Sequence, residues 1–187
     1  LGALVDGTLP QLVAATFRDA LLGYEDRVVR TLSEQFFKRG GGPVVADVAR
    51  LAGDTLRGQR VFYGRCAVCH TVGAVGAEVG PNLDNAAAKF DRAALLDAIV
   101  NPSGSIAHGY EVSALTTRRG DVHFGFLLAE GATVVLKDPT GRRLTFERAD
   151  VASIRPMQVS LMPRPSEIPV DAQEIADVAA YLMSHRR

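Results

Sequence analysis

Gly58-Gln59-Arg60-Val61-Phe62-Tyr63-Gly64-Arg65-Cys66-Ala67-Val68-Cys69-His70 is the stretch on which the reading of this chain turns. Its last five residues form C-x-x-C-H, and they contain both cysteines of the chain. Two thiols three positions apart on one turn can reach both vinyl groups of a haem and form thioethers, while the next side chain comes up beneath the iron. His70 is then the proximal ligand through an imidazole nitrogen, and one covalent haem c is the cofactor expected. Three other readings compete. A thioredoxin-like redox pair wants a strand-to-helix junction in a βαβ unit, and no such pattern surrounds these cysteines. A zinc site wants a second pair of ligands at the right spacing, and there is no further cysteine. A helical interaction module with inert thiols stays open.

Composition sets the frame around that motif. The chain has 187 residues, 47% apolar and 22% charged, with 21 basic side chains against 21 acidic ones. That describes an ordinary globular protein. A net charge of zero removes any bulk electrostatic case for nucleic acid or an anionic membrane. No apolar run approaches the roughly 20 residues needed to span a bilayer. The start at Leu1 leads us to expect a processed chain or a fragment, with any export signal already gone.

Outward from the motif, the pattern is helical on both sides. Leu9 to Leu22 and Glu25 to Lys38 each place apolar residues on one face, so a helical hairpin is expected over 1–39. A short helix through Val44–Leu51 follows, and Asp54 is an N-cap for a helix from Thr55 to about Gly64 that delivers Cys66. Asp91 caps another containing Leu95, Leu96, Ile99 and Val100, which stops at Asn101-Pro102. From Glu111 the period changes to two: Val112/Ala114/Thr116, Val122/Phe124/Phe126/Leu128, Val134/Leu136 and Leu144/Phe146, with turn signals between the runs. A four-stranded antiparallel meander is expected, with a fifth short strand at Val151–Ile154. Asp171 and Glu174 then form a capping box ahead of Ile175, Val178, Ala179 and Leu182.

Around the cysteines the sequence resembles class I c-type cytochromes. Gly58 and Phe62 stand eight and four residues before Cys66, where that family carries a glycine and an aromatic. Asp177-Val178-Ala179-Ala180-Tyr181-Leu182 looks like the family's closing helix, for which Gly58 would allow a close crossing. Gly80-Pro81-Asn82-Leu83 is similar to the family's Gly-Pro-x-Leu loop, which implies that the Pro81 carbonyl accepts the N–H of His70 and that Leu83 belongs to the haem surroundings; as a sequence pattern alone it also reads as a plain turn. The order of motifs further resembles haem-binding modules at the C-termini of large planctomycete and verrucomicrobial proteins.

Met162, in Ser160-Leu161-Met162-Pro163, matches the position where the family places its distal methionine, just ahead of the closing helix. Met157 is the runner-up, five residues earlier in what reads as the same loop. Met183 falls within the closing helix and reads as packing. His123 is out of phase with the Val122/Phe124/Phe126 face and reads as a solvent-facing strand residue. His185 suits a helix C-terminus, and His108 stays open as a loop residue.

The fold expected is therefore mainly α: a class I cytochrome c core with a small antiparallel β-meander insertion and an N-terminal helical hairpin. Residues 1–53 would be a helical segment and linker, and 54–187 the cytochrome domain, with the insertion at about 111–154. The function implied is a single-haem electron carrier, not itself an enzyme, working between a redox protein or fused dehydrogenase domain and a respiratory acceptor. Thioether attachment implies the periplasm or an equivalent compartment. The N-terminal helices could serve a homodimer. The alternative is a haem-based gas sensor or peroxidase-like enzyme with a labile distal ligand.

Overall fold

Asp54 begins the helix that matters most, because its carboxylate accepts a hydrogen bond from the Arg57 N–H at 2.7 Å and so satisfies one of the orphan donors of the first turn. The computed structural model describes residues 43–185, and the hairpin expected over 1–39 lies outside them. The chain divides into two compact units: among the described residues, 43–105 with 164–185 form one, and 106–163 the other.

The first unit is helical. It contains α1 (Val45–Ala49), α2 (Thr55–Val61), a single π-helical turn over Phe62–Cys66, the tiny hairpin β1 (Thr71–Val72) and β2 (Val75–Gly76), α3 (Ala86–Lys89), α4 (Arg92–Val100) and α5 (Ala172–Ser184). Asp91 caps α4 by accepting from the Ala94 N–H, and Asp171 with Glu174 forms the capping box of α5. The core gathers Phe62, Leu95, Leu96, Ile175, Val178, Tyr181 and Leu182, with the Phe62 and Tyr181 ring centroids 5.6 Å apart. Arg92 reaches back to the carbonyls of Ala49 and Leu51, at 2.8 and 2.7 Å, closing the end of α1.

Two features lock α2 against α5. A Cβ on Gly58 would strike the backbone carbonyl of Asp177, so only glycine permits the two backbones to come this close. Asp177 itself is 2% exposed, although it is charged and sits on the apolar face of α5. Its carboxylate accepts from the Asp54 N–H (2.7 Å), from Arg57 Nε (2.8 Å) and Nη2 (3.2 Å), and from Gln173 Nε2 (2.9 Å). A buried carboxylate is tolerable only when paired and bonded in this way.

The second unit is a five-stranded antiparallel sheet: β3 (Val112–Thr117), β4 (Val122–Glu130), β5 (Thr133–Lys137), β6 (Arg143–Glu147) and β7 (Val151–Met157), in the order β6-β5-β4-β3-β7. β4 is shared between two half-sheets. Its first half pairs with β3, from Thr116 opposite Val122 to Val112 opposite Phe126, and its second half pairs with β5 from Phe126 onward. A register shift between Leu127 and Ala129 bends the strand there. Gly125 lies two residues before the shift, where a Cβ would collide with the Lys137 carbonyl. The halves fold over each other, bringing His123 at one end of β4 within 4.9 Å of Phe146 on β6, centroid to centroid. Leu115, Val134, Leu136 and Val151 are buried inside this fold, with Leu127, Phe146 and Ile154 packed on them.

Four expectations need correction. The protein is not mainly α: it is 34% helix and 25% strand over the described residues, because the helices are short and the sheet carries a core of its own. The fifth strand is a full member, running from Val151 to Met157 beside β3. Met157 is consequently the last residue of a strand, opposite Val112, and not part of a loop. His123 does not face solvent: it stands opposite fully buried Leu115 on the inner face and packs on Phe146. The Val122/Phe124/Phe126 alternation is real, but the register puts it on the face opposite the Leu115 cluster, where Phe126 packs edge-on against Tyr110 at 5.4 Å.

Arg57 beside Asp177 holds that carboxyl below its usual range. The stabilisation this represents is complete above the unfolded carboxylate value, about 3.9, and is lost as pH falls through the lower folded value. Asp177→Asn should therefore melt several degrees below the parent at pH 7 and at pH 5, with the gap closing in stronger acid, as read by thermal melts across pH. Gly58→Ala should cost about 3 kcal/mol by denaturant titration, because a helix backbone must move to admit the methyl.

Candidate functional site

Cys66 ends the π-helical turn, in which the Ala67 N–H donates to the Phe62 carbonyl at 2.8 Å. The chain then coils on, with the Cys69 and His70 N–H groups both donating to the Cys66 carbonyl at 3.0 and 2.9 Å. Offsets of three and four residues put Cys66, Cys69 and His70 on one side of that coil. Val68, on the other side, is 69% exposed. Both thiols are free and partly buried.

The returning segment 77–84 runs back along this coil. The Ala77 N–H donates to the Ala67 carbonyl (2.8 Å), Val79 and Gly80 donate to that of Cys69 (3.1 and 2.7 Å), and Leu83 donates to that of Thr71 (2.9 Å). Between these bonds, His70 Nδ1 lies 2.9 Å from the Pro81 carbonyl oxygen. A carbonyl only accepts, so Nδ1 carries the proton and Nε2 is the nitrogen with a lone pair to offer. A Cβ on Gly80 would sit 2.8 Å from His70 Cε1, so glycine here leaves the ring its place. Leu83 packs against the helical core.

Electrostatics agree with a ligand role for the imidazole. Burial pushes the His70 pKa below its ordinary value, against the pull of the Pro81 carbonyl, so the ring is neutral at pH 7. Burial, with Cys69 adding to it, pushes the Cys66 thiol up to about 11, and burial raises Cys69 as well. Neither is an activated thiolate of the kind a redox-active pair requires. Among the described residues no group of three or more His, Cys, Asp and Glu is placed to hold a metal ion, which does not favour zinc. Two closely spaced thiols free for bond formation, beside a neutral imidazole with Nδ1 committed, are the donor set a covalently bound haem needs.

The other candidates are dispersed. Met162 is partly buried just before Pro163, with its N–H donating to Ser160 Oγ at 3.1 Å, and belongs to the unit that contains the sheet. Met157 closes β7 in the same unit. Met183 packs on the helical core. His108 is fully exposed beside Glu111, while His185 places Nδ1 2.9 Å from the Tyr181 carbonyl at the end of α5. Reading the sequence missed the pairing of Arg57 with Asp177. The signal was present: an aspartate among Ile175, Ala176, Val178 and Ala179 is a charge on an apolar helix face and demands a partner.

No curated protein matches the chain. The model of the family described as Cytochrome c matches residues 55–120. The match opens on the first residue of α2, takes in Cys66, Cys69, His70, Pro81 and Leu83, and stops in the turn after β3, short of α5. A partly buried, neutral imidazole next to two free thiols, within a segment that matches this family, supports a c-type cytochrome.

Proposed function

We propose that this chain is a single-haem c-type cytochrome that carries electrons between a redox partner, or a dehydrogenase domain fused to it, and a respiratory acceptor. The observation that carries the reading is the His70 ring, with Nδ1 bonded to the Pro81 carbonyl and Nε2 left to coordinate, one residue after Cys69. Cys66 and Cys69 would hold the haem through thioethers, and His70 would be its proximal ligand. A haem bound there supplies one-electron iron chemistry. The residues around it orient the imidazole and keep it neutral, and we read the protein as a carrier rather than an enzyme.

For the sixth position we propose Met162, which the order of motifs places just ahead of the closing helix, with Met157 as runner-up. Thioether sulfur is a soft, weak ligand that favours ferrous iron, so a His70/Met162 pair suits electron transfer. Covalent attachment further suggests the periplasm or a similar compartment. No helix among the described residues is long and apolar enough to cross a membrane. The order C-x-x-C-H, G-P-N-L, strands and S-L-M-P supports the finer likeness to modules borne by larger planctomycete and verrucomicrobial proteins. The N-terminal segment, residues 1–39, remains our suggested homodimer surface.

On a denaturing gel of the expressed holoprotein, haem absorption should travel with the polypeptide band, and the Cys66→Ser/Cys69→Ser double variant should run colourless; a colourless parent would end the cytochrome reading. Met162→Ala should abolish the iron–thioether charge-transfer absorption and let the reduced protein bind carbon monoxide, while Met157→Ala should do neither. Rapid carbon monoxide binding by the unaltered protein would instead favour a gas sensor or peroxidase-like enzyme.

A further inference from the structure

The bond between His70 and the Pro81 carbonyl needs that carbonyl held in one orientation. The Pro81 C=O shares its peptide plane with the Asn82 N–H, so whatever fixes Asn82 fixes the acceptor. Asn82 is fixed by side chains: its Nδ2 donates to Thr71 Oγ1 at 3.0 Å and to Asp84 Oδ2 at 3.3 Å, and its Oδ1 accepts from the Asp84 N–H at 2.9 Å. Asp84 Oδ1 in turn accepts from the Gly73 N–H, at the tip of the β1–β2 hairpin where Gly73 has φ +60°. Thr71 and Gly73 follow directly on His70. The carboxylate thus straps the segment leaving His70 to the segment that carries its hydrogen-bond acceptor.

We propose that Asp84, acting through Asn82 and the Gly73 amide, is a positioning residue for His70: it holds the Pro81 carbonyl on Nδ1 and so sets how strongly the imidazole donates to iron. The inference rests on the haem reading above. A firm bond at Nδ1 makes the ring more basic toward a metal, and a loosened one makes it a weaker donor, which shifts the balance toward ferrous iron.

The test uses the holoprotein and three variants, Asp84→Ala, Asn82→Ala and Asp84→Asn. Two quantities are read: the solvent-exchange rate of the His70 Nδ1–H by NMR of the ferrous form, and the midpoint potential. Asp84→Ala and Asn82→Ala should each speed exchange at least tenfold and raise the ferrous-to-ferric ratio up to about tenfold at fixed ambient potential, equivalent to 59 mV. Asp84→Asn keeps an oxygen for the Gly73 N–H and should preserve slow exchange. Gly80→Ala, which crowds the ring directly, calibrates a displaced imidazole. Unchanged exchange in both alanine variants would overturn the proposal. So would an Asp84→Asn potential shifted as far as that of Asp84→Ala with exchange still slow, because charge alone would then be acting. Should Asp84→Ala fail to fold, Asn82→Ala decides. A parent without covalent haem would defeat the functional reading instead, and the gel distinguishes the two failures before any variant is made.

Discussion

The helical unit depends on one crossing, at which a missing side chain and a buried charge act together. Gly58 lets α2 meet the backbone of α5, and Asp177, buried at the crossing, is made tolerable by Arg57, Gln173 and the Asp54 amide. The two effects are not interchangeable. Absence of a Cβ sets the distance, whereas the carboxylate sets the angular position, because beyond its own helix its bonds go to the start of α2. Partners more than a hundred residues apart in sequence are joined here, so the contact also makes the two ends of the helical unit one body.

From that crossing the site is assembled in short steps. Phe62, buried against Tyr181, anchors the end of α2; the π-helical turn carries the chain to Cys66; the coil through Cys69 presents His70; and the returning segment supplies Pro81. A π-turn widens the helix by a residue and often marks a functional position. In this chain it separates the residue that packs in the core, Phe62, from the residue proposed to hold haem, Cys66, so that each can face its own direction.

Much of the site was legible because its chemistry is local. C-x-x-C-H, the Asp54 and Asp91 caps, the Asp171/Glu174 box and the Gly80-Pro81 turn all work through neighbours a few residues away, and periodicity and capping rules describe such neighbours well. The helix crossing was legible only through resemblance, and the side chains that enforce it were not, since Arg57 and Asp177 are remote in sequence. The sheet shows the same limit. Alternation located the strands, yet it could not say which face of β4 would close inward, because that depends on the register shift between Leu127 and Ala129 and on pairing with two different partners. His123 therefore lies on the inner face, while Phe126, itself buried, packs against Tyr110 on the other, and β7 reached Met157 because its pairing with β3 continues past the last clear alternation.

The pairing of β3 with β7 has an entropic consequence for the rest of the chain. Val112 and Met157 face each other across the ladder, so the polypeptide leaves the sheet beside the point where it entered. To the helical unit, the folded insertion behaves as a loop about a fifth of its true contour length. Loop-closure cost rises only with the logarithm of length, so the saving is about 1 kcal/mol. The kinetic effect has the same sign: contacts between α2 and α5 stay non-local, but the chain between them is effectively shortened by the span from Val112 to Met157 once the strands have formed. A sheet that closes on its own core and returns its ends together thus lengthens the search that completes a helical fold less than an unfolded insertion of the same size would.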